Sequence, residues 1–445
     1  MTDTVTAEPV EPPSARSVLG QAPRRAVTIL PSWWPLALLT LGFPVFWVLG
    51  IAAAAWPLVS LLLVPGLLRN EHLRAPRGFG LWALFILWVT VSATQLGAVD
   101  RLFSFGYRYS VYFAATVLFL YVYNQPEDRL PTTRVISLLV GLWSAVAFLG
   151  LVGAVAPRLE FPSVAELLLP KRAFSNPLVY SLAHPRFAQV SRLFGQEIGR
   201  PHALFPYTNG WGSTFGILFT VTVAWLAGRW SSKMSRLIVV TLIGLSLFSV
   251  IASLNRGLWL SLALGLVYTS ARFAGQRRPA PLFLAGIPIV LVAVILSVTP
   301  LGTLFTERAE EGHSDEGRSS LYVQSIELGM ERPILGWGSP QQRTDKDEGP
   351  NVGTHGHMWL ILVSQGFVGI VLYLSWWTSV ILRTWRQRTT TGIWLHATML
   401  VVVMQAFVYE HTPIQLPIAM IVAALLLRAA RRDVVAPPEL EGVRY

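Results

Sequence analysis

The sequence predicts an all-α protein: a polytopic membrane helical bundle of about twelve transmembrane helices, with two long extracytoplasmic loops bearing short amphipathic helices. Three observations predict it. Apolar residues make up 53% of the 445-residue chain and charged residues only 13%, with a mean hydropathy of +0.51; a soluble protein would carry about 25% charge. Apolar runs near the length that crosses a bilayer recur along the chain. Basic residues collect in every second short loop between those runs, which is how membrane topology is written in sequence. That placement accounts for the net charge of +11 and excludes nucleic acid as a partner. The absence of cysteine rules out disulfides, iron–sulfur clusters and thiolate zinc sites.

The elements follow in order. The polar, Pro-rich stretch 1–32 is expected to be a disordered cytoplasmic tail. Residues 33–49 and 51–68 form a hairpin of two spans, interrupted at Gly50 and Pro57. Spans 79–96, 105–123 and 135–155 come next, and the segment of about 157–206 is too polar to cross. Its VAELLLPKRAF stretch suits a short helix lying on the outer membrane surface. Span 207–227 leads to spans 237–254 and 258–271, which meet at the turn Asn255-Arg256-Gly257. A ninth span is predicted over 281–299, and a second long outer loop over about 300–356. Spans 357–382, 393–409 and 413–427 close a single transmembrane domain, 33–432, followed by a cytoplasmic tail, 433–445. An even number of spans puts both termini in the cytoplasm. Both long loops, the 255–257 turn and His355 then lie outside.

Candidate chemistry concentrates on that outer side. In NVGTHGHMWL, a glycine-rich loop delivers His355 and His357 to the first turn of an apolar segment, and imidazole is the side chain that changes charge near neutral pH. Arg256 lies between two apolar runs, where its planar fork suits a phosphate or diphosphate. An interfacial arginine snorkelling to water explains it equally well. Tyr322, Ile326 and Met330 recur at helical spacing and predict an amphipathic helix over 319–330, with Arg318 at its N-terminus. Pairing of Arg318 with Asp315 or Glu316 on a solvated loop is the ordinary alternative. Arg200 and Asn209 stand just before span 207–227. His184 and His202 lack metal-ligand spacing, so no metal and no cofactor are expected. Arg200, Arg256, Arg318 and His355 fall on one side of the membrane, which suits a polyanionic lipid headgroup beside a proton acceptor.

At this point the chain resembles the O-antigen ligase/polymerase superfamily of polytopic envelope glycosyltransferases. Ser253-Leu254-Asn255-Arg256-Gly257 is similar to the family's serine-x-arginine stretch at a span junction. Gly317-Arg318, Pro333 and Gly336-Trp337-Gly338 resemble its "GR…P…G-x-G" loop, and His355 with Gly366 and Gly369 resembles its histidine helix. Arg200, Pro206 and Asn209 resemble its arginine-to-asparagine stretch before a span. The likeness covers roughly 200–371. Gly356 replaces the family's usual asparagine or serine, and Asn255 takes a place often held by serine. His355 is preferred to His357 because its distance to Gly366 and Gly369 fits the pattern.

The resemblance implies a bacterial inner-membrane enzyme with an extracytoplasmic site. Its partners would be membrane lipids, a lipid-linked glycan donor on undecaprenyl diphosphate, and a glycan or glycolipid acceptor. It implies metal-independent, inverting transfer to an acceptor hydroxyl, as ligase or as polymerase. Arg256, Arg318 and Arg200 would bind the diphosphate, and His355 would be the base. The competing expectation is a transporter or flippase of a lipid-linked or anionic solute.

Overall fold

A computed structural model describes residues 31–175, 177–193, 196–228, 232–276, 313–342 and 351–435. The expected ninth span, both expected tails for most of their length, and parts of the second long loop lie outside the described residues. The other predicted spans all coincide with helix: α1 (Trp34–Leu41), α2 (Phe43–Leu49), α3 (Ala52–Leu68), α4 (Phe79–Ser92), α5 (Asp100–Asn124), α6 (Thr132–Val155), α9 (Thr208–Ala227), α10 (Lys233–Ala252), α11 (Arg256–Gly275), α13 (His357–Thr384), α14 (Thr390–Gln405) and α15 (Gln415–Val435). Between them lie α7 (Val164–Leu168), α8 (Pro177–Ala183) and, in the second long loop, α12 (His313–Glu331). Among the described residues, five helices are long and apolar enough to cross a membrane: α6, α9, α10, α11 and α13. The chain is thus a multi-pass helical membrane protein.

Three local readings need correction. The segment 33–49 is two helices rather than one, parted at Gly42, and Gly50 at φ 79° then turns the chain into α3. Pro57, expected to interrupt the hairpin, sits inside α3 together with Pro65; apolar helices tolerate proline where neighbours re-satisfy the freed carbonyls. The first long loop, in which only a short amphipathic helix is expected, also holds strand. Beside α7 and α8 it folds an antiparallel hairpin, β1 (Ala188–Leu193) with β2 (Gln196–Pro201), in which Gln189 faces Arg200. The predicted surface helix is present as α7, held by a capping box between Ser163 and Glu166, with Leu167 and Leu168 at 70% and 77% exposure.

α15 is apolar nearly all round and almost wholly buried from Leu416 to Leu427, which marks it as the axis of the bundle. It packs along α5, while α14 packs on α9 and α11, α6 on α9 and α10, and α13 on α4. The two ends of the bundle differ in chemistry. At one end, Arg428 donates to the Gln125 carbonyl at 3.0 Å and to Thr132 Oγ1 at 3.0 Å, and pairs with Glu127 at 2.9 Å. Glu127 in turn accepts from the Thr132 N–H, so a single cluster closes the C-terminus of α5 and the N-terminus of α6. Arg272 closes the α13–α14 connection at the same end through the Trp385 and Gln387 carbonyls, at 2.9 and 2.8 Å. These are the loops whose basic residues predict the cytoplasmic side. Replacing Arg428 by Met should lower stability by about 1–3 kcal/mol, less than the ~3–5 kcal/mol of a fully buried broken pair because Glu127 keeps some access to water. A thermal-unfolding midpoint equal to wild type would refute that role.

Candidate active site

The opposite end gathers the residues singled out above. α10 ends in a turn with Leu254 at φ 48°, and Asn255 begins α11 by accepting from the Leu258 N–H at 3.3 Å. Asparagine is among the preferred residues at this capping position, which accounts for its presence where the family often has serine. Asn255 Nδ2 also donates to the Thr208 carbonyl at 3.3 Å, and the Tyr409 hydroxyl donates to Asn255 Oδ1. Gly212 allows this approach, since any side chain there would meet the Asn255 amide. Arg200 on β2 donates through Nε to the Ser253 carbonyl at 2.8 Å, three residues before Arg256. Arg256 is therefore the first residue of α11, exposed, on a turn held from three sides. Guanidinium charge and the N-terminal amides of α11 add to one positive potential. Asn209, partly exposed, follows Thr208 in the first turn of α9.

The histidine loop is assembled against the second outer segment. α12 lies along the first half of α13 in parallel register. The Tyr322 and Trp359 rings stack at 4.7 Å, and Leu321 packs with Val352 and Val363. Trp337 N–H donates to the Val363 carbonyl at 2.8 Å, Gly338 N–H to Ser364 at 2.9 Å, and Phe367 N–H to Pro333 at 2.8 Å. That last bond fills a break in α13 at Gly366, where φ is 69° and ψ is −170°. Gly336 (φ 65°) and Gly338 (φ 73°) give the 333–338 loop the shape that lets it reach the break. Two sequence readings change here. The predicted helix 319–330 begins six residues earlier, so Arg318 lies within α12 rather than at its N-terminus. The stripe that packs is Leu321, Ser325 and Gly329, while Ile326 and Met330 are exposed. The register places the Arg318 backbone one turn before Tyr322, at the level of the loop that carries His355.

The connection between α14 and α15 joins these pieces. His357 N–H donates to the Tyr409 carbonyl and Met358 N–H to the Ala406 carbonyl, both at 2.8 Å. His355 is half-buried beside it. His357 is wholly buried, with Tyr112 Oη 3.4 Å from its Nε2 and its ring 5.1 Å from Tyr373 and 5.3 Å from His411. Burial pushes His411 down to about 3, so it stands neutral in this cluster. His202 is also held below its ordinary range by burial, and its Nδ1 lies 2.6 Å from the Phe205 carbonyl.

The fold thus brings Arg200, the Arg256 turn, Asn209, His355 and the Arg318 turn of α12 to one end, linked through Tyr409 and its neighbours. The small cavity at this end is lined elsewhere, by Arg108 and the α13 break. Sequence reading missed Arg108. It sits inside α5 and pairs with Glu410 at 2.9 Å, donating also to Ser104 Oγ at 2.5 Å. The signal was available, because an ionisable residue within an apolar segment is a functional candidate by default. Glu410 thus pairs with Arg108 and not with its sequence neighbour His411. Among the described residues, no cluster of three or more histidines and carboxylates could hold a metal.

Residues 241–374 match the family model described as O-antigen ligase. The match takes in Arg256, Arg318, His355 and His357, and ends before Glu410. No curated relative matches the chain.

Proposed function

We propose, from the O-antigen ligase domain at 241–374, that this ligase- or polymerase-type membrane glycosyltransferase moves a glycan from undecaprenyl diphosphate to an acceptor hydroxyl. The reaction takes place on the outer face of a bacterial inner membrane, within a single transmembrane domain, 33–432, flanked by cytoplasmic tails. The observation that carries this reading is the convergence of Arg200, Arg256, the Arg318 turn and His355, distant in sequence, at the end opposite the basic loops.

In the proposed step the acceptor oxygen attacks the anomeric carbon from the face opposite the diphosphate. The new glycosidic bond forms as the bond between the anomeric carbon and the diphosphate oxygen breaks, with inversion, and the electron pair leaves on that oxygen of the diphosphate. Arg256 and Arg318 stabilise that charge as it grows. Preorganised electrostatic groups of this kind are often the largest contribution to catalysis. Arg200 serves the same site by holding the turn that presents Arg256. His355 takes the acceptor proton, and no metal enters the scheme. His355 is favoured over His357 because the latter is sealed among aromatic rings.

The transporter reading draws support from the break in α13, since broken helices line transporter sites. Here the break is occupied by the 333–338 loop, whose backbone pairs with Val363, Ser364 and Phe367 while the Trp88 indole serves the Gln365 carbonyl, which favours the enzyme. Arg256→Ala should lower kcat for transfer from purified lipid-linked donor in proteoliposomes by about 10²–10³-fold, and Arg256→Lys should recover only part of it. Unchanged transfer would remove Arg256 from the site. Counterflow of intact donor without a new glycosidic bond would favour the transporter.

A further inference from the structure

A second polar feature lies on the other side of the 406–411 turn. Between α4, α5 and the outer half of α13 there is a crevice lined by Phe105, Arg108, Tyr109, Tyr112, Ser364 and Gln365. Its volume is ≈ 10 Å³, room for one water-sized or hydroxyl-sized group. Ser364 and Gln365 are 2% and 3% exposed, and Ser364 Oγ and Gln365 Oε1 have no hydrogen-bond partner among the described residues. Buried polar atoms are almost always satisfied, so two unsatisfied ones lining a single crevice point to a bound group.

The charge at this crevice is already spent. Arg108 meets both Glu410 carboxylate oxygens, through Nε at 2.9 Å and a terminal nitrogen at 3.4 Å. A second anion would compete with Glu410, so the crevice suits a neutral ligand that donates hydrogen bonds. The stacked rings of Phe105 and Tyr109, 5.7 Å apart, supply an apolar wall. Donor hydroxyls against buried acceptors with an aromatic flank are the chemistry of a sugar. The turn separates the two features: Tyr409 faces Asn255 and the Arg256 turn, whereas the next residue, Glu410, faces Arg108.

We propose that this crevice is a glycan subsite that receives one hydroxyl-bearing arm of a neutral sugar, held by Gln365 Oε1 and Ser364 Oγ. Resting on the proposed reaction, that sugar belongs to the acceptor, since the diphosphate arginines stand across the turn. The subsite itself is tested without transfer. The full-length protein in nanodiscs is titrated with the methyl β-glycosides of glucose, galactose, mannose and N-acetylglucosamine, read by saturation-transfer NMR. At least one glycoside should bind saturably, about tenfold more weakly to Gln365→Leu or Ser364→Ala, and inorganic pyrophosphate should leave binding unchanged. Both variants should keep the wild-type unfolding midpoint, because each removes an unpartnered group. Binding of no glycoside, binding indifferent to both substitutions, or displacement by pyrophosphate overturns the subsite. In the transfer assay, Gln365→Leu should raise KM for the acceptor and leave KM for the donor alone; the reverse pattern overturns the acceptor assignment. Absence of transfer by the wild-type protein, with glycoside binding intact, condemns the ligase reading and not the subsite.

Discussion

His355→Ala should lower kcat by about 10²–10⁴-fold, the range that a positioned general base contributes, while leaving the protein folded. His355 lies half-buried on the 353–356 loop, outside the buried core, so its removal opens no internal cavity. His357→Ala is the informative contrast. Its ring is enclosed by Tyr112, Tyr373 and His411, and truncation there should cost about 2–4 kcal/mol of stability, as for other large buried side chains. The two variants separate chemistry from packing when transfer and thermal unfolding are measured on the same preparations. Full activity in His355→Ala, or a native midpoint in His357→Ala, would reverse the assignment.

Gly366→Ala should be among the most damaging single substitutions in the chain. At φ 69° and ψ −170° the backbone is in a region that residues with a Cβ avoid, at about 1–3 kcal/mol. The added carbon would also stand 2.5 Å from the Pro333 carbonyl oxygen and 2.6 Å from that of Ile334, and relieving such crowding costs a similar amount. A total of about 2–6 kcal/mol should show as lost monodisperse protein in detergent and a strongly lowered midpoint. Gly80→Ala, on α4 with no neighbour within 4 Å of the new carbon, is the control. It should be neutral or stabilising by up to about 1 kcal/mol. Equal behaviour of the two variants would show that the break is not needed.

Most helices were legible in the sequence because runs of apolar residues bounded by arginines and glycines carry a signal many residues long. Gly50 ending α2 and Asn255 opening α11 were legible for a local reason: each supplies the backbone freedom or the side-chain acceptor that a helix end requires. The break at Gly366 was not, since a glycine in an apolar helix has many uses and only the Pro333 carbonyl, far away in sequence, selects this one. The hairpin 188–201 was hidden by its shortness and by the polar composition of its loop. The stripe Tyr322, Ile326, Met330 revealed that α12 is a helix but not which side it packs, because in a membrane protein an apolar face can turn toward lipid as readily as toward the core. Of the candidate site, the arginines and His355 stood out by residue type. Arg108 carried the same signal inside its apolar segment; what the sequence does not show is its partner Glu410, which is distant in the chain.

The interlock between the 333–338 loop and the Gly366 break bears on how such proteins can be recombined. Each segment supplies hydrogen bonds that the other lacks, so neither is a portable cassette. A chimera built to borrow another chain's outer arm has to place its junctions before residue 313 and after residue 384, carrying arm and helix across as one inherited block.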